Sequence, residues 1–571
     1  MMAEGRVYQD GGEGLLEAFR ALNLDYVICS PGSEWAPVWE AVARQRKVGV
    51  AGPAYIDVWH ETLAVDLAIG YTLVTGRMQA VLLHAGPGLL QGACGIHAAN
   101  LAGLPLLVLS SDSNSYGERK SVDPGSQWYR NLSVVGGPHG LVDNIVKWSS
   151  QVPGVETLYE FVKRAGEIAQ RSPQAPVYLN APVEVLLEPW TPSPHPTPVA
   201  PAGKRVSPDA EIETLVARLR TANEPVIMTE SAGRDPDAFH ALVRFAEAFG
   251  IPVIEPQANV CGNFPKTHPL YRGSEIGALK DTADLVLLVN CRAPWYPPSN
   301  RPQNATTVVI DEVPQRPAAV HQVLYADQYL EGDVAHTLDL AAAFGPTDKA
   351  AVVARAERHA AFHVELRARI AKAEEQAAKA ERLSAVHAIA SLRDAVANAV
   401  GDQATYVDET ITHSRLMQQH LIWETPQRYF YVQGGLGQGI GVALGVKMAK
   451  PDDLVILTVG DGSFLYNPIV QGLALARDQK LPVLIVILNN KRYLSMQLNH
   501  LRFYPDGVSK AEGDFPGVDL SSQPPLEAFG QPFGMYTAEA TTHEALADAL
   551  RDGIAAVRDG RTAIVNAYVD K

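Results

Sequence analysis

Residues 460–490 read GDGSFLYNPIVQGLALARDQKLPVLIVILNN. The apolar run 454–459 just ahead predicts a buried strand that ends in Gly460-Asp461-Gly462-Ser463. A helical segment follows. The apolar run 483–488 then predicts a second buried strand, which ends in Asn489-Asn490. Strand, helix and strand in that order make a parallel crossover, which brings both strand ends to one edge of the sheet. Asp461 and Asn490 are therefore expected side by side at the carboxyl edge, where α/β sheets bind ligands. A carboxylate and a side-chain carbonyl are hard oxygen donors of the kind that suits Mg2+, an ion that keeps positions for water and phosphate oxygens. Gly462 lets the backbone approach a phosphate closely, and Ser463 opens a helix whose free N–H groups attract anions. The pattern predicts a diphosphate held through a metal ion. The plain alternative is a tight glycine turn and, later, an unrelated Asn turn. The order of GDG, helix, apolar strand and NN weighs against it.

Outward from this stretch, strand and helix patterns alternate along most of the chain. In the first region the runs 26–29, 80–83 and 104–109 read as strands. They end at Ser30-Pro31-Gly32-Ser33, at His84-Ala85-Gly86-Pro87-Gly88 and at Ser110-Ser111-Asp112. The Pro-rich segment 188–207 cannot pack a core and marks a boundary. Beyond it, 225–229, 252–255, 285–289 and 307–310 read as strands. No Gly-rich dinucleotide fingerprint sits on their turns, which argues against a flavin or nicotinamide in this region. Residues 346–397 are rich in Ala, Glu, Lys and Arg and predict a long helix or helix pair, a connector with a charged, solvated face. The last region carries a strand at 405–407 ending in Asp408-Glu409-Thr410, the run QGGLGQG at 433–439, the GDG stretch, and a closing strand at 562–568. Strands alternating with helices predict an α/β protein of doubly wound parallel sheets.

The bulk properties limit what such a chain does. Its 571 residues suggest roughly three or four domains. A formal net charge of -15 argues against nucleic acid or an anionic membrane surface as a partner. Cys29, Cys94, Cys261 and Cys291 are far apart and form no CxxC pair, so they are expected to be buried free thiols in a reducing compartment. The N-terminal residues show no signal-peptide core, and no apolar run reaches membrane-span length. A cytoplasmic protein with a small-molecule substrate is the expectation.

The ordered GDG…NN stretch resembles the cofactor signature of thiamine diphosphate (ThDP) enzymes. A second stretch agrees with it: His60-Glu61 heads the helical run ETLAVDLAIGYTLVTG, and a strand and the triplet GPG follow. Glu61 at a helix start is favourable on dipole grounds alone. In this context it resembles the Glu that hydrogen-bonds the cofactor's aminopyrimidine ring. Nearly the whole chain resembles the ThDP-dependent decarboxylase and carboligase superfamily, which includes the acetolactate synthases and benzoylformate decarboxylases. The resemblance implies three doubly wound parallel-sheet domains: a pyrimidine-binding domain at 1–187, the linker at 188–207, a middle domain at 208–345, the helical connector at 346–397 and a pyrophosphate-binding domain at 398–571. It implies ThDP and Mg2+ as cofactors. Asp461, Asn490 and the backbone carbonyl of Arg492 would hold the metal. Glu61, Gly88, Thr410, Gly435, Leu436, Gly462, Ser463, Asn490 and Tyr493 would contact the cofactor, with Leu436 beneath it holding it bent. It further implies a homodimer or homotetramer with active sites at the subunit interface.

Three fragments are similar to the benzoylformate decarboxylases: Ser30-Pro31-Gly32-Ser33, Leu83-His84, and Phe264-Pro265-Lys266-Thr267-His268-Pro269. They put Ser33, His84 and His268 beside Glu61 as catalytic candidates. The unperturbed pKa of histidine suits His84 to moving substrate protons; the competing reading is a strand-end His satisfied by backbone. Ser33 is a candidate donor to a substrate carboxylate or alkoxide, with helix N-cap as its structural alternative. His60 and His97 read as structural, and His413 lies near Glu409-Thr410. The chain departs from the benzoylformate decarboxylases in three places: Glu34 adds a charge to the first loop, SVDPGSQWY occupies 121–129, and the bulky Leu494, Met496 and Leu498 follow NN. The expected activity is non-oxidative cleavage or formation of C–C bonds next to a carbonyl: a 2-keto acid decarboxylase, or an acyloin carboligase or lyase. The alternative is an acetolactate synthase-like or flavin-containing pyruvate oxidase-like enzyme.

Overall fold

The structure is a computed structural model and describes residues 8–113, 122–126, 137–192, 199–316, 319–323 and 325–570. Residues 1–7 of the N-terminal stretch, 193–198 of the Pro-rich segment, and Ser121 and 127–129 of the SVDPGSQWY segment lie outside the described residues.

Every named strand pairs parallel to its neighbours, and the strands form three sheets. The first contains β1 (Tyr26–Cys29), β2 (Ala54–Asp57), β3 (Gln79–Leu83), β4 (Leu106–Ser110), β5 (Trp148–Gln151) and β6 (Val177–Asn180), in the order β2-β1-β3-β4-β6-β5. The second contains β7 (Pro225–Thr229), β8 (Val253–Ile254), β9 (Leu285–Val289), β10 (Thr306–Asp311) and β11 (Gln328–Glu331), in the order β11-β10-β9-β7-β8. The third contains β12 (Ala404–Glu409), β13 (Tyr429–Tyr431), β14 (Leu454–Gly460), β15 (Leu484–Asn489), β16 (Tyr536–Ala540) and β17 (Ala563–Tyr568), in the order β13-β12-β14-β15-β17-β16. The central strands β3, β4, β7 and β9 are buried throughout, as sheets covered on both faces require. In each sheet the chain goes to one side and then to the other, so there is one switch point: between β1 and β3, between β7 and β9, and between β12 and β14.

The chain divides into two compact units. The first is Met1–Gly203 with Gln433–Lys450 and Pro468–Leu475, and carries the first sheet. The second is Lys204–Val432, Pro451–Asn467 and Ala476–Lys571, and carries the other two. The Gly-rich run of the last region thus belongs with the first sheet.

Within the first unit, the helix Glu61–Thr75 packs against the helix Gly439–Ala449 at backbone distance. A Cβ added at Gly70 or Gly445 would run into the carbonyl oxygen of Val442 or Leu67. His60 caps the start of Glu61–Thr75, its Nδ1 accepting from the Thr62 N–H at 3.2 Å, and Gly76 (φ 66°) closes its end.

Two expectations need adjusting. The single helix expected after GDGS is two, Asp461–Tyr466 and Ile469–Asp478. Asn467 precedes Pro468 and is forced to extended geometry (φ -68°, ψ 150°), which a helix cannot continue through. Cys94 is exposed, whereas Cys29, Cys261 and Cys291 are buried; all four are free. The residue lies on the helix Gly86–Ala102. The Ala-rich connector is a helix pair, Lys349–Ala378 and Ala385–Val400. No helix of the described residues is long and apolar enough to cross a membrane.

Candidate active site

In the first unit the loops after β1 and β3 meet because those strands are parallel neighbours, with Cys29 opposite Leu82. The Glu34 side chain is fully buried between them. Its Oε1 accepts the Ala85 N–H at 2.9 Å, at the start of the helix Gly86–Ala102, and lies 2.7 Å from His84 Nδ1. Gly32 makes this meeting sterically possible, since a Cβ there would overlap both the imidazole and the carboxylate. Gly88 plays the same part on the other flank: an added Cβ would stand 2.7 Å from His84 Cβ and 2.9 Å from Glu61 Oε1. His84 and Glu61 therefore converge on the space that a side chain at Gly88 would fill, at the switch point of the first sheet. The hydrogen bond to the Glu34 carboxylate raises the His84 pKa above its ordinary value. Burial opposes the shift, and the charges of Glu34, Glu61 and Asp112 add to it. A quarter of the His84 side chain stays exposed.

Ser33 is exposed on the same loop and opens the short turn Ser33–Trp35. It is not the N-cap of the following helix: Ala36–Lys47 starts one turn later, from Trp35, with no side-chain cap. The Gly-rich run lies against the helix Gly86–Ala102. An added Cβ at Gly434 would collide with Ala98, and one at Gly435 would meet Cys94 Sγ at 3.4 Å. Gly434 and Gly437 take φ 94° and 92°, values that exclude most side chains, and between them Leu436 is half-buried.

In the second unit β14 and β15 are paired, Gly460 opposite Leu488, so Asp461 and Asn490 emerge from adjacent strand ends. Asn489 and Asn490 accept backbone N–H groups two residues on, from Lys491 at 3.0 Å and Arg492 at 3.1 Å. The Arg492 carbonyl accepts from the Leu494 N–H at 3.0 Å. Gly462 is pressed on the Tyr493 ring, with 2.5 Å from an added Cβ to Cε1. Ser463 is buried, and its carbonyl accepts from Asn467 Nδ2 at 2.9 Å. Thr410 is buried beside this edge, donating through both N–H and Oγ1 to Asp408 Oδ1 at 2.9 and 2.7 Å. Thr458 and Tyr429 also donate to Asp408. His413 is buried and pushed down to about 4 by desolvation.

Asp461 is 2% exposed, and burial pushes its pKa up to about 6 in spite of donors from Gly462 and Gln523. No cationic side chain among the described residues pairs with it. Gln523 was not legible as a site residue: its Nε2 reaches Asp461 Oδ2 at 3.5 Å and Asn489 Oδ1 at 2.8 Å, and its Oε1 is buried without a hydrogen-bond partner. A buried carboxylate met, among the described residues, only by N–H donors, with the unpartnered Gln523 Oε1 on the same side chain that reaches it, fits a hard divalent cation and the phosphates such an ion carries.

His268 also lies in the second unit. Its Nε2 is 3.2 Å from Glu247 Oε1 and its Nδ1 accepts from the Leu270 N–H at 3.1 Å, so both ring nitrogens are engaged within their own neighbourhood. Sequence reasoning missed Glu34 as the His84 partner, Asp112 and Gln523. Glu34 alone left a signal, as a charge next to SPGS.

Comparison with known families agrees with this geometry. The profiles described as thiamine pyrophosphate enzyme N-terminal TPP binding domain, central domain and C-terminal TPP binding domain match residues 9–132, 212–340 and 410–567. The chain belongs to the thiamine diphosphate-dependent enzyme superfamily. Its relatives include the benzoylformate decarboxylase of Pseudomonas aeruginosa, 27% identical over 95% of this chain and 96% of that protein. They also include the acetolactate synthase isozyme 3 large subunit of Escherichia coli K12, 24% identical over 98% of this chain and 95% of that protein. Among solved structures, the ThDP-dependent 4-hydroxybenzoylformate decarboxylase of Rhodococcus jostii RHA1 has the same fold: TM-score 0.78, 22% identity, covering 98% of this chain and 99% of that one.

Proposed function

We propose that this enzyme uses ThDP and Mg2+ to cleave or form C–C bonds next to a carbonyl, with decarboxylation of a 2-keto acid as its entry step. When bound, ThDP supplies a nucleophilic carbon and an electron sink for the bond that breaks. Asp461, Asn490 and the Arg492 carbonyl would hold the metal, and Gly462, Ser463, Thr410 and Tyr493 the diphosphate end of the cofactor. Glu61 would bond the aminopyrimidine ring, with Gly88 and Gly435 close to it and Leu436 under the bend. His84 would move protons at the substrate oxygen, and Ser33 would donate to it. His268 has the weakest support, because both its ring nitrogens are already engaged.

The observation that carries this reading is the pair Glu61 and His84 converging on the space over Gly88. A carboxylate suited to the cofactor's ring stands one glycine from an imidazole suited to the substrate, and positioning of this kind replaces a strong base. The smallest active unit would be a homodimer in which each site takes Glu61 from one chain and Asp461 from the other; an active monomer in size-exclusion chromatography would overturn that. The central test is a product screen of the ThDP- and Mg2+-loaded protein with aliphatic and aromatic 2-keto acids, with and without an acceptor aldehyde. CO2 release with an aldehyde or acyloin product is expected. No turnover on any 2-keto acid or acyloin would remove the reading.

A further inference from the structure

The second sheet has a switch point of its own, between β7 and β9, and the catalytic scheme uses nothing there. A cleft of about 500 Å3 opens at its carboxyl edge, among the loops that follow β8, β9 and β10. That volume is in the range of small-molecule sites, and this edge is where α/β sheets bind ligands. Its walls are tied together. The Trp295 N–H donates to Gln322 Oε1 at 3.1 Å, and Gln322 Nε2 donates to the Trp295 carbonyl at 2.6 Å. Arg292 Nη1 donates to the Val320 carbonyl at 2.8 Å, which joins the loop after β10 to the loop after β9.

The charges decide the ligand. Two charged side chains line the cleft, Glu275 and Arg292, and each is already paired: Glu275 with Arg415, and Arg292 with Glu230 at 3.2 Å. Glu230 does more than neutralise Arg292. Its Oε2 also accepts the successive N–H groups of Arg292 and Ala293, at 2.9 and 3.1 Å. Two successive N–H groups beside a guanidinium make a cradle of the kind that takes a phosphate. Here the chain's own buried carboxylate occupies it. The cleft still offers the aromatic residues Trp295 and Tyr296, and the side chains of Gln257 and Ser274, which make no hydrogen bond among the described residues.

We propose that this cleft is a second binding site, for an uncharged aromatic ligand, and that Glu230 closes it to phosphate-bearing nucleotides. The aromatic residues supply apolar contact, and Gln257 and Ser274 are the few polar groups that orient a ligand in such a site. An anion would meet the Glu230 carboxylate instead of a free donor. The inference is independent of the catalytic reading, because no residue of that reading lines the cleft.

The test titrates two fluorescent probes into the ThDP- and Mg2+-loaded protein. N-phenyl-1-naphthylamine is neutral, and 8-anilino-1-naphthalenesulfonate is the same aryl amine with a sulfonate added. The wild type is expected to bind the neutral probe at least about tenfold more tightly, the penalty for an anion that finds a carboxylate in place of a donor. Ser274→Trp, which fills the cleft from a partly exposed position, should abolish that binding. Tyr296→Ala removes a residue that is 55% exposed, so folding is not at stake, and should weaken the neutral probe by about twofold to tenfold. Glu230→Gln takes the counter-charge from Arg292. It should strengthen the sulfonate probe by about tenfold and leave the neutral probe within about twofold. Equal binding of the two probes by the wild type, neutral-probe binding unchanged in folded Ser274→Trp or in Tyr296→Ala, sulfonate binding unchanged in Glu230→Gln, or displacement of the neutral probe by ADP or FAD would each overturn the proposal. If Ser274→Trp or Glu230→Gln does not fold, Tyr296→Ala and the wild-type comparison decide. Failure of the catalytic reading would show instead as no turnover in the product screen, whatever the probes do.

Discussion

Glu34 and Asp461 are both 2% exposed, both at the carboxyl edge of a parallel sheet, and both beside a switch point, yet their charges are met in opposite ways. Glu34 has a potential cation 2.7 Å away, supplied by the same chain, and the result is a raised pKa on His84. Among the described residues Asp461 meets amide and backbone N–H groups and no cation, and burial drives its carboxyl up to about 6. Equal burial therefore does not mean equal purpose. An internally neutralised carboxylate tunes a neighbouring side chain. A carboxylate left without a counter-charge is arranged for a cation from solution, because carrying it unpaired costs folding free energy that the arriving ion returns.

The largest effect should come from Asp461→Ala. Titration calorimetry with ThDP and Mg2+ should show affinity reduced by at least on the order of 10²-fold, since even outer partners of a metal are worth 10–100-fold. Binding at wild-type strength would break the contrast with Glu34, for Asp461 would then be a structural carboxylate. Next is His84→Ala, which should slow turnover by roughly 10²–10⁴-fold while ThDP binding survives. A variant with near wild-type rate would return His84 to a strand-end structural role. The smallest effect sharpens the comparison. Gln523→Ala should weaken Mg2+ binding by about 10–100-fold without abolishing it, as loss of a residue that orients a metal ligand does. Unchanged Mg2+ affinity would show that the Gln523 amide only fills the space between Asp461 and Asn489.

The parallel strands were legible where apolar runs end in turn residues. Strands β1, β7 and β9 have the expected bounds, β14 runs one residue further, and β15 is shifted by one residue. Strands β2, β5 and β16 were not legible, because they lie at sheet edges and are only partly buried, so their apolar pattern is weak. The adjacency of Asp461 and Asn490 could be inferred because one crossover joins their strands. The bond between Glu34 and His84 could not, since 50 residues and a second strand separate them. Gln523 comes from an irregular loop with no motif at all.

By itself the sequence determined the alternation of strands and helices, the parallel sheets that follow from it, and the chemistry of the ends at Asp461 and Asn490. These depend on local pattern and on the handedness of one crossover. Only the tertiary structure decided which side chains neutralise which charges. It brought Glu34 to His84, left Asp461 with amides, and placed the Gly-rich run of the last region against the helix Gly86–Ala102 of the first unit. The reason is physical: the charge on a buried group is set by distances of a few ångströms between residues remote in the chain, and no local pattern encodes those distances.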